Sequence, residues 1–121
     1  MRPLNEKEIK SFLERFDSFK ESEILSLTIL SATEIEITLT AQDRARGFDW
    51  IRVTFGFSGV SDARLPQEQH LTYIDMQEGI SLFKDENNYA FGLGNYKNST
   101  TLKDSQLYII SQTIKYIEAP F

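Results

Sequence analysis

Apolar and polar residues alternate from Ile35 to Leu39 and again from Ile51 to Phe57. Ile35, Ile37 and Leu39 interleave with Glu36 and Thr38; Ile51, Val53, Phe55 and Phe57 interleave with Arg52, Thr54 and Gly56. Successive strand side chains point to opposite faces of a sheet, so this period of two on both sides of the polar segment Ala41–Asp49 predicts a long antiparallel hairpin with one apolar face. Upstream the period becomes helical. Ile9, Phe12, Leu13, Phe16 and Phe19 form a stripe, with Lys7, Lys10, Ser11, Glu14 and Arg15 opposite it. Asn5 and Glu8 have capping-box spacing, and Leu4 and Ile9 that of a hydrophobic staple, which predicts a helix over residues 6–17.

The remainder reads as strand. Ile24–Leu30 is a first strand, with a turn at Ser31–Glu34 leading into the hairpin. Gly56 and Gly59 mark a bulge or bend, Val60–Leu65 continues beyond it, and Pro66 ends it. Leu71–Asp75 and Ile80–Lys84 are short strand candidates on either side of Gly79. Asp85–Asn88 has turn chemistry, Tyr89, Phe91 and Leu93 alternate, and Asn95–Thr100 is a polar loop. Gln106–Glu118 reads as the closing strand. Tyr108, Ile110, Ile114 and Tyr116 share its one face, with Gln112 the exception, while Leu107, Ile109 and Ile117 lie on the other. Either both faces are covered, or a bulge near Ser111 exchanges them. The predicted fold is α+β: one N-terminal helix packed on a curved, mostly antiparallel sheet of six to seven strands. One helix cannot cover such a sheet, so the rest must curl into a partial barrel, lie under loops or meet another copy of the chain.

Composition narrows the function more than it names one. With 121 residues, a single domain over 1–121 is expected, large enough for a core without staples. There is no cysteine, which excludes a disulfide framework, a thiolate metal site and a cysteine nucleophile. Residues 1–7 have no apolar signal region, and no apolar run approaches the ~20 residues of a membrane helix, so a cytoplasmic protein without membrane contact is expected. The formal net charge is −5, concentrated at Asp62, Glu68, Asp75, Glu78, Asp85 and Glu86 against Arg64 and Lys84. Nucleic acid demands a basic surface, so this balance argues against it and suits a basic protein partner or plain solubility.

Candidate chemistry is sparse. His70, the single histidine, lies in the polar segment after Pro66 with no second histidine to share a metal. Gly56, Ser58 and Gly59 miss nucleophile-elbow spacing, because the second glycine comes one residue early. Gly92 and Gly94 begin a dinucleotide-loop pattern, but Lys97 stands at the third glycine position. Glu34 and Glu36 share a strand face, where a cross-strand pair with Arg52 is a simpler reading than a catalytic couple. Asp75, Glu78 and Asp85 lack the glycine-centred spacing of a calcium loop. Arg44 and Arg46 make the one basic spot. Trp50, in strand phase, points to the polar face with Arg52, the composition of a binding hot spot unless a loop covers it. No catalytic, metal or cofactor site follows from these residues.

Phe16–Phe19 followed by Ser22–Ile24, then the hairpin, then Asp104–Ile110, resemble as a set small bacterial proteins without assigned function, some of them grouped as immunity proteins of polymorphic toxin systems. The resemblance implies a stoichiometric binder that blocks a toxin, and it supplies no catalytic residue. The expected function is a non-enzymatic protein-binding module using Trp50 and Arg52, or Asp75, Glu78, Asp85 and Glu86. The alternatives are a small-molecule binder or enzyme with a pocket lined by Tyr89 and Tyr108, and a homo-oligomer joined through an open sheet edge.

Overall fold

In the computed structural model, which describes residues 1–121, the strands form two antiparallel sheets rather than one curved sheet. The first contains β1 (Arg2–Pro3), β2 (Ile24–Ser31), β3 (Glu34–Asp43), β4 (Asp49–Ser58) and β9 (Thr113–Pro120), in the spatial order β1-β9-β4-β3-β2. The second contains β5 (Asp62–Arg64), β6 (Ile80–Asp85), β7 (Asn88–Leu93) and β8 (Tyr108–Ser111), in the order β5-β8-β7-β6. There is no closed barrel.

The expected hairpin is β3–β4, and its apolar positions face each other in register, Ile35 opposite Phe57, Ile37 opposite Phe55 and Leu39 opposite Val53. One face of this pair is wholly buried because the second sheet lies over it. Val60–Leu65 does not prolong β4. At Gly59 the backbone turns left-handed (φ 67°) and the chain leaves for the second sheet. Beside it the chain crosses back, so the predicted closing strand is in fact two strands, β8 and β9. Gln112, at that second crossing, donates its N–H to the carbonyls of Ser58 (3.1 Å) and Gly59 (3.2 Å). The bend there exchanges the faces: Leu107 and Ile109 enter the main core before it, Ile114 and Tyr116 after it.

The helix α1 (Glu6–Arg15) packs one face, with Ile9 and Phe12 buried, onto the core and stops before the predicted residue 17. Leu4 and Ile9 are both buried, as a staple requires, and the Glu8 carboxylate accepts the Asn5 N–H at 3.4 Å. Asp17, Ser18 and Phe19 then take three successive left-handed conformations (φ 51°, 53° and 59°), each costing roughly 1–2 kcal/mol for a residue with a Cβ. The turn delivers Phe19 to a fully buried site against Phe16 (5.2 Å between ring centroids) and Phe55 (5.5 Å), and that burial returns about 2–3 kcal/mol. Phe12 adds edge contacts with Tyr116 at 4.7 Å and Phe55 at 5.8 Å.

Two further expectations are corrected. Leu71–Asp75 is not a strand: Glu68–Tyr73 forms short 3-10 turns that bury Leu71 against Ile24 and leave His70 exposed. The polar loop Asn95–Thr100 runs into a short helix, α2 (Ser99–Leu102), whose Leu102 packs with Ala90, Tyr108 and Ile110 on the outer face of the second sheet. Gly92 is what admits it, since a Cβ there would stand 2.6 Å from Leu102 Cδ1. Close packing therefore explains the glycine that sequence spacing set beside a dinucleotide loop.

Candidate functional site

The site begins with the end of β3. Asp43 continues the inward phase of Leu39 and Ala41, so its carboxylate is fully buried at the rim of the core. A charge there needs partners. Arg15, the last residue of α1, supplies them as a fork: Nε donates to Oδ1 at 2.8 Å and Nη2 to Oδ2 at 2.7 Å. The same guanidinium donates to both carboxylate oxygens of Glu118 on β9, at 3.0 and 2.6 Å. The Ala45 N–H (3.0 Å) and Arg46 Nε (3.3 Å) complete the shell of Asp43. The Arg15 hydrogen bonds hold the Asp43 carboxyl below the usual carboxylate range, against the opposing effect of burial, and the Ala45 N–H adds to them. Hydrogen bonding to Asp43 likewise raises the affinity of Arg15 for its proton. Helix, hairpin and last strand are thus pinned at one point.

On the other side of that pin the hairpin presents aromatic surface. Gly47 and Phe48 are both left-handed (φ 65° and 67°), and the Phe48 N–H donates to the Asp43 carbonyl at 2.9 Å, which fixes the ring outward with 58% exposure. Trp50 keeps the strand alternation and is 45% exposed; no loop covers it. It stands opposite Gln42, and Arg52 opposite Thr40. From the neighbouring strand Ala119 and Ile117 join the same outward face, opposite Arg52 and Thr54. Arg52 donates Nε–H to the Pro120 carbonyl at 3.3 Å. Further along the same face, the hydroxyls of Thr38 and Thr54 meet at 2.8 Å. The outcome is an apolar and cationic patch on a braced strand end. Ile117 was legible as an out-of-phase apolar residue, whereas Phe48 fell inside a segment that reads as polar loop.

The other candidate residues do not join this patch. Asp75 and Glu78 precede β6, Asp85 ends it and Glu86 follows, so roughly 20 Å of strand separates the two pairs. Asp75 accepts the Gln77 N–H (2.8 Å) within its own turn, and Asp85 accepts the Ser99 hydroxyl (2.6 Å), which ties the start of α2 to the end of β6. Glu78 is exposed at a polar hollow of about 560 Å³ lined also by Ser18, Lys20, Gln77, Ile80 and Asn95. Glu86 holds the left-handed position (φ 57°) of the β6–β7 turn. Arg52 does not pair with Glu36, which faces Gly56. Tyr89 and Tyr108 line no common pocket, because they lie on opposite faces of the second sheet. The Tyr108 hydroxyl donates to Asp62 at 3.1 Å; burial, then that bond, raises its pKa. No three His, Asp or Glu side chains converge in a metal-binding arrangement, and no helix is long and apolar enough to cross a membrane.

Comparison of the chain with protein-family models, with curated proteins and with solved structures returns no match.

Proposed function

We propose that this chain is a non-enzymatic protein-binding module whose anchor is the braced end of the β3–β4 hairpin. The observation that carries the reading is the exposure of Trp50, with Arg52 two residues on along the same outward face, Ile117 further along it opposite Thr54, and Phe48 exposed at the hairpin tip. Exposed apolar patches mark interaction sites, and tryptophan and arginine dominate binding energy when a partner excludes water from them. Phe48 and Trp50 are preorganised by the hairpin register and by the Arg15–Asp43–Glu118 cluster, which lowers the ordering cost of association. The partner would offer an apolar pocket for the indole. The net charge of −5, to which Asp75, Glu78, Asp85 and Glu86 contribute, favours the approach of a basic partner without direct contact. Stoichiometric blocking of a toxin is the form of this role that the resemblance to immunity proteins suggests.

The test is capture from native lysate at low salt, comparing the natural chain with Trp50→Ala. A specific partner should be retained by the former and lost by the latter, with unchanged melting temperatures. Truncating a central tryptophan costs about 2 kcal/mol or more, a roughly 30-fold weaker complex by calorimetry. Equal retention by both chains, or no partner at any ionic strength, would overturn the reading.

A further inference from the structure

A second surface lies away from Trp50, at the far edge of the first sheet. Each sheet has two edges. β1 covers only two residues and contains Pro3; β5 has three residues. β6 carries Lys84 and Asp85 and is flanked by α1 and the Asp17–Phe19 turn. β2 is different. It runs for eight residues, Ile24–Ser31, with no charged residue, no proline and no glycine. Only its start is covered, where Leu71 and Ile74 lie beside Ile24. Thr28 to Ser31 are all exposed, with Ile29 at 64% and Leu30 at 55%. Proteins that remain monomeric blunt such edges with charge, proline or a covering segment, because unpaired strand N–H and C=O groups recruit another strand.

We propose that β2 pairs antiparallel with β2 of a second copy of this chain, joining two five-stranded sheets across a two-fold axis at Thr28. The sequence of the strand selects the occupant. In a chain of net charge −5 this edge carries no charge of its own, so it offers nothing to a basic peptide and nothing that repels its own copy. Antiparallel pairing about Thr28 is also self-complementary. Leu27 and Ile29 share the inward phase, opposite Ile37 and Ile35, and the two-fold axis sets Leu27 of each copy against Ile29 of the other. Such a contact is isologous and closes as a dimer rather than growing into a filament. Main-chain hydrogen bonds and apolar burial hold it, so it persists at salt concentrations that screen the approach of a basic partner.

The absence of cysteine makes the register directly testable. Directly opposed strand residues stand within disulfide reach, so Thr28→Cys should oxidise rapidly to a covalent dimer, and the exposed Gln77→Cys control should not. Sedimentation equilibrium should show a dimer for the natural chain and a dissociation constant raised at least about tenfold for Ile29→Lys, with unchanged circular dichroism. A natural chain that stays monomeric to millimolar concentration would overturn the proposal. So would an Ile29→Lys chain that still dimerises, or a Thr28→Cys chain that cross-links no faster than the control. Edge occupancy by a foreign strand, with no self-association, would overturn it as well. Trp50→Ala should leave the dimer intact, and Ile29→Lys should leave partner capture intact, so each proposal can fail without the other.

Discussion

Replacing Arg15 by methionine removes the cation on which two carboxylates converge while keeping much of the apolar stem. Asp43 is fully buried and would lose both of its fork bonds, retaining the Ala45 N–H and the partly exposed Arg46. Glu118 keeps 16% side-chain exposure and can turn toward water, so most of the cost falls on Asp43. Leaving a buried charge without its partner costs about 3–5 kcal/mol, and the surviving contacts place the expected loss near ~3 kcal/mol. Urea denaturation should show a midpoint lowered by roughly 1–2 M at a slope of about 2 kcal/mol/M. The pH dependence gives the sign. In the natural chain the depressed Asp43 pKa contributes stability that is present above about 3.9, the unfolded value, and is lost as pH falls through the lower folded value. Without Arg15, burial is opposed only by the Ala45 N–H and Arg46, so the folded pKa of that carboxyl rises and the deficit of the variant shrinks as pH falls from 7 toward 4. Adding Asp43→Leu removes the orphaned charge and should restore most of the loss. A midpoint shift worth under about 1 kcal/mol, or a deficit that stays constant with pH, would refute the brace.

Two more changes probe the left-handed turn after α1. Ser18→Gly should stabilise the protein by about 0.5–1 kcal/mol, because glycine relieves the strain at φ 53° at some entropic cost; a lower melting temperature would contradict this. Gly79→Ala should cost more than about 3 kcal/mol in thermal unfolding, since its φ is 71° and the new methyl would overlap the Ser18 carbonyl oxygen; a near-neutral result would place that turn elsewhere.

Local periodicity carried the parts of the fold that close within a few residues. The β3–β4 register, the staple of Leu4 with Ile9 and the Asp85–Asn88 turn are all legible because neighbours in sequence decide them. The second sheet was not, since nothing in Ser58, Gly59 or Gln112 states that two distant bends lie side by side. Gln112 did register as a break in phase, and a bulge near Ser111 was one of two ways to read it. Leu71–Asp75 misled because a single buried residue, Leu71, sits in a run too short to separate strand from 3-10 turn. In the site, Trp50 and Arg52 were legible from strand phase, but the brace behind them joins residues from α1, β3 and β9 that no spacing connects. Asp43 was read as loop polarity, when it is the last inward-facing residue of its strand.

The paired crossings at Gly59 and Gln112 bear on how this chain reaches its native state. β4 and β9 are adjacent in the first sheet, β5 and β8 in the second, and both connections turn at one hydrogen-bonded corner. Neither sheet is complete until residues on both sides of Gln112 have docked beside residues on both sides of Gly59. Loop-closure entropy is then met before most of the core is rewarded, which favours slow, late and cooperative folding. The β3–β4 hairpin, formed early from local contacts, would wait with its apolar face open, so the corner acts as the latch that ends its exposure to aggregation.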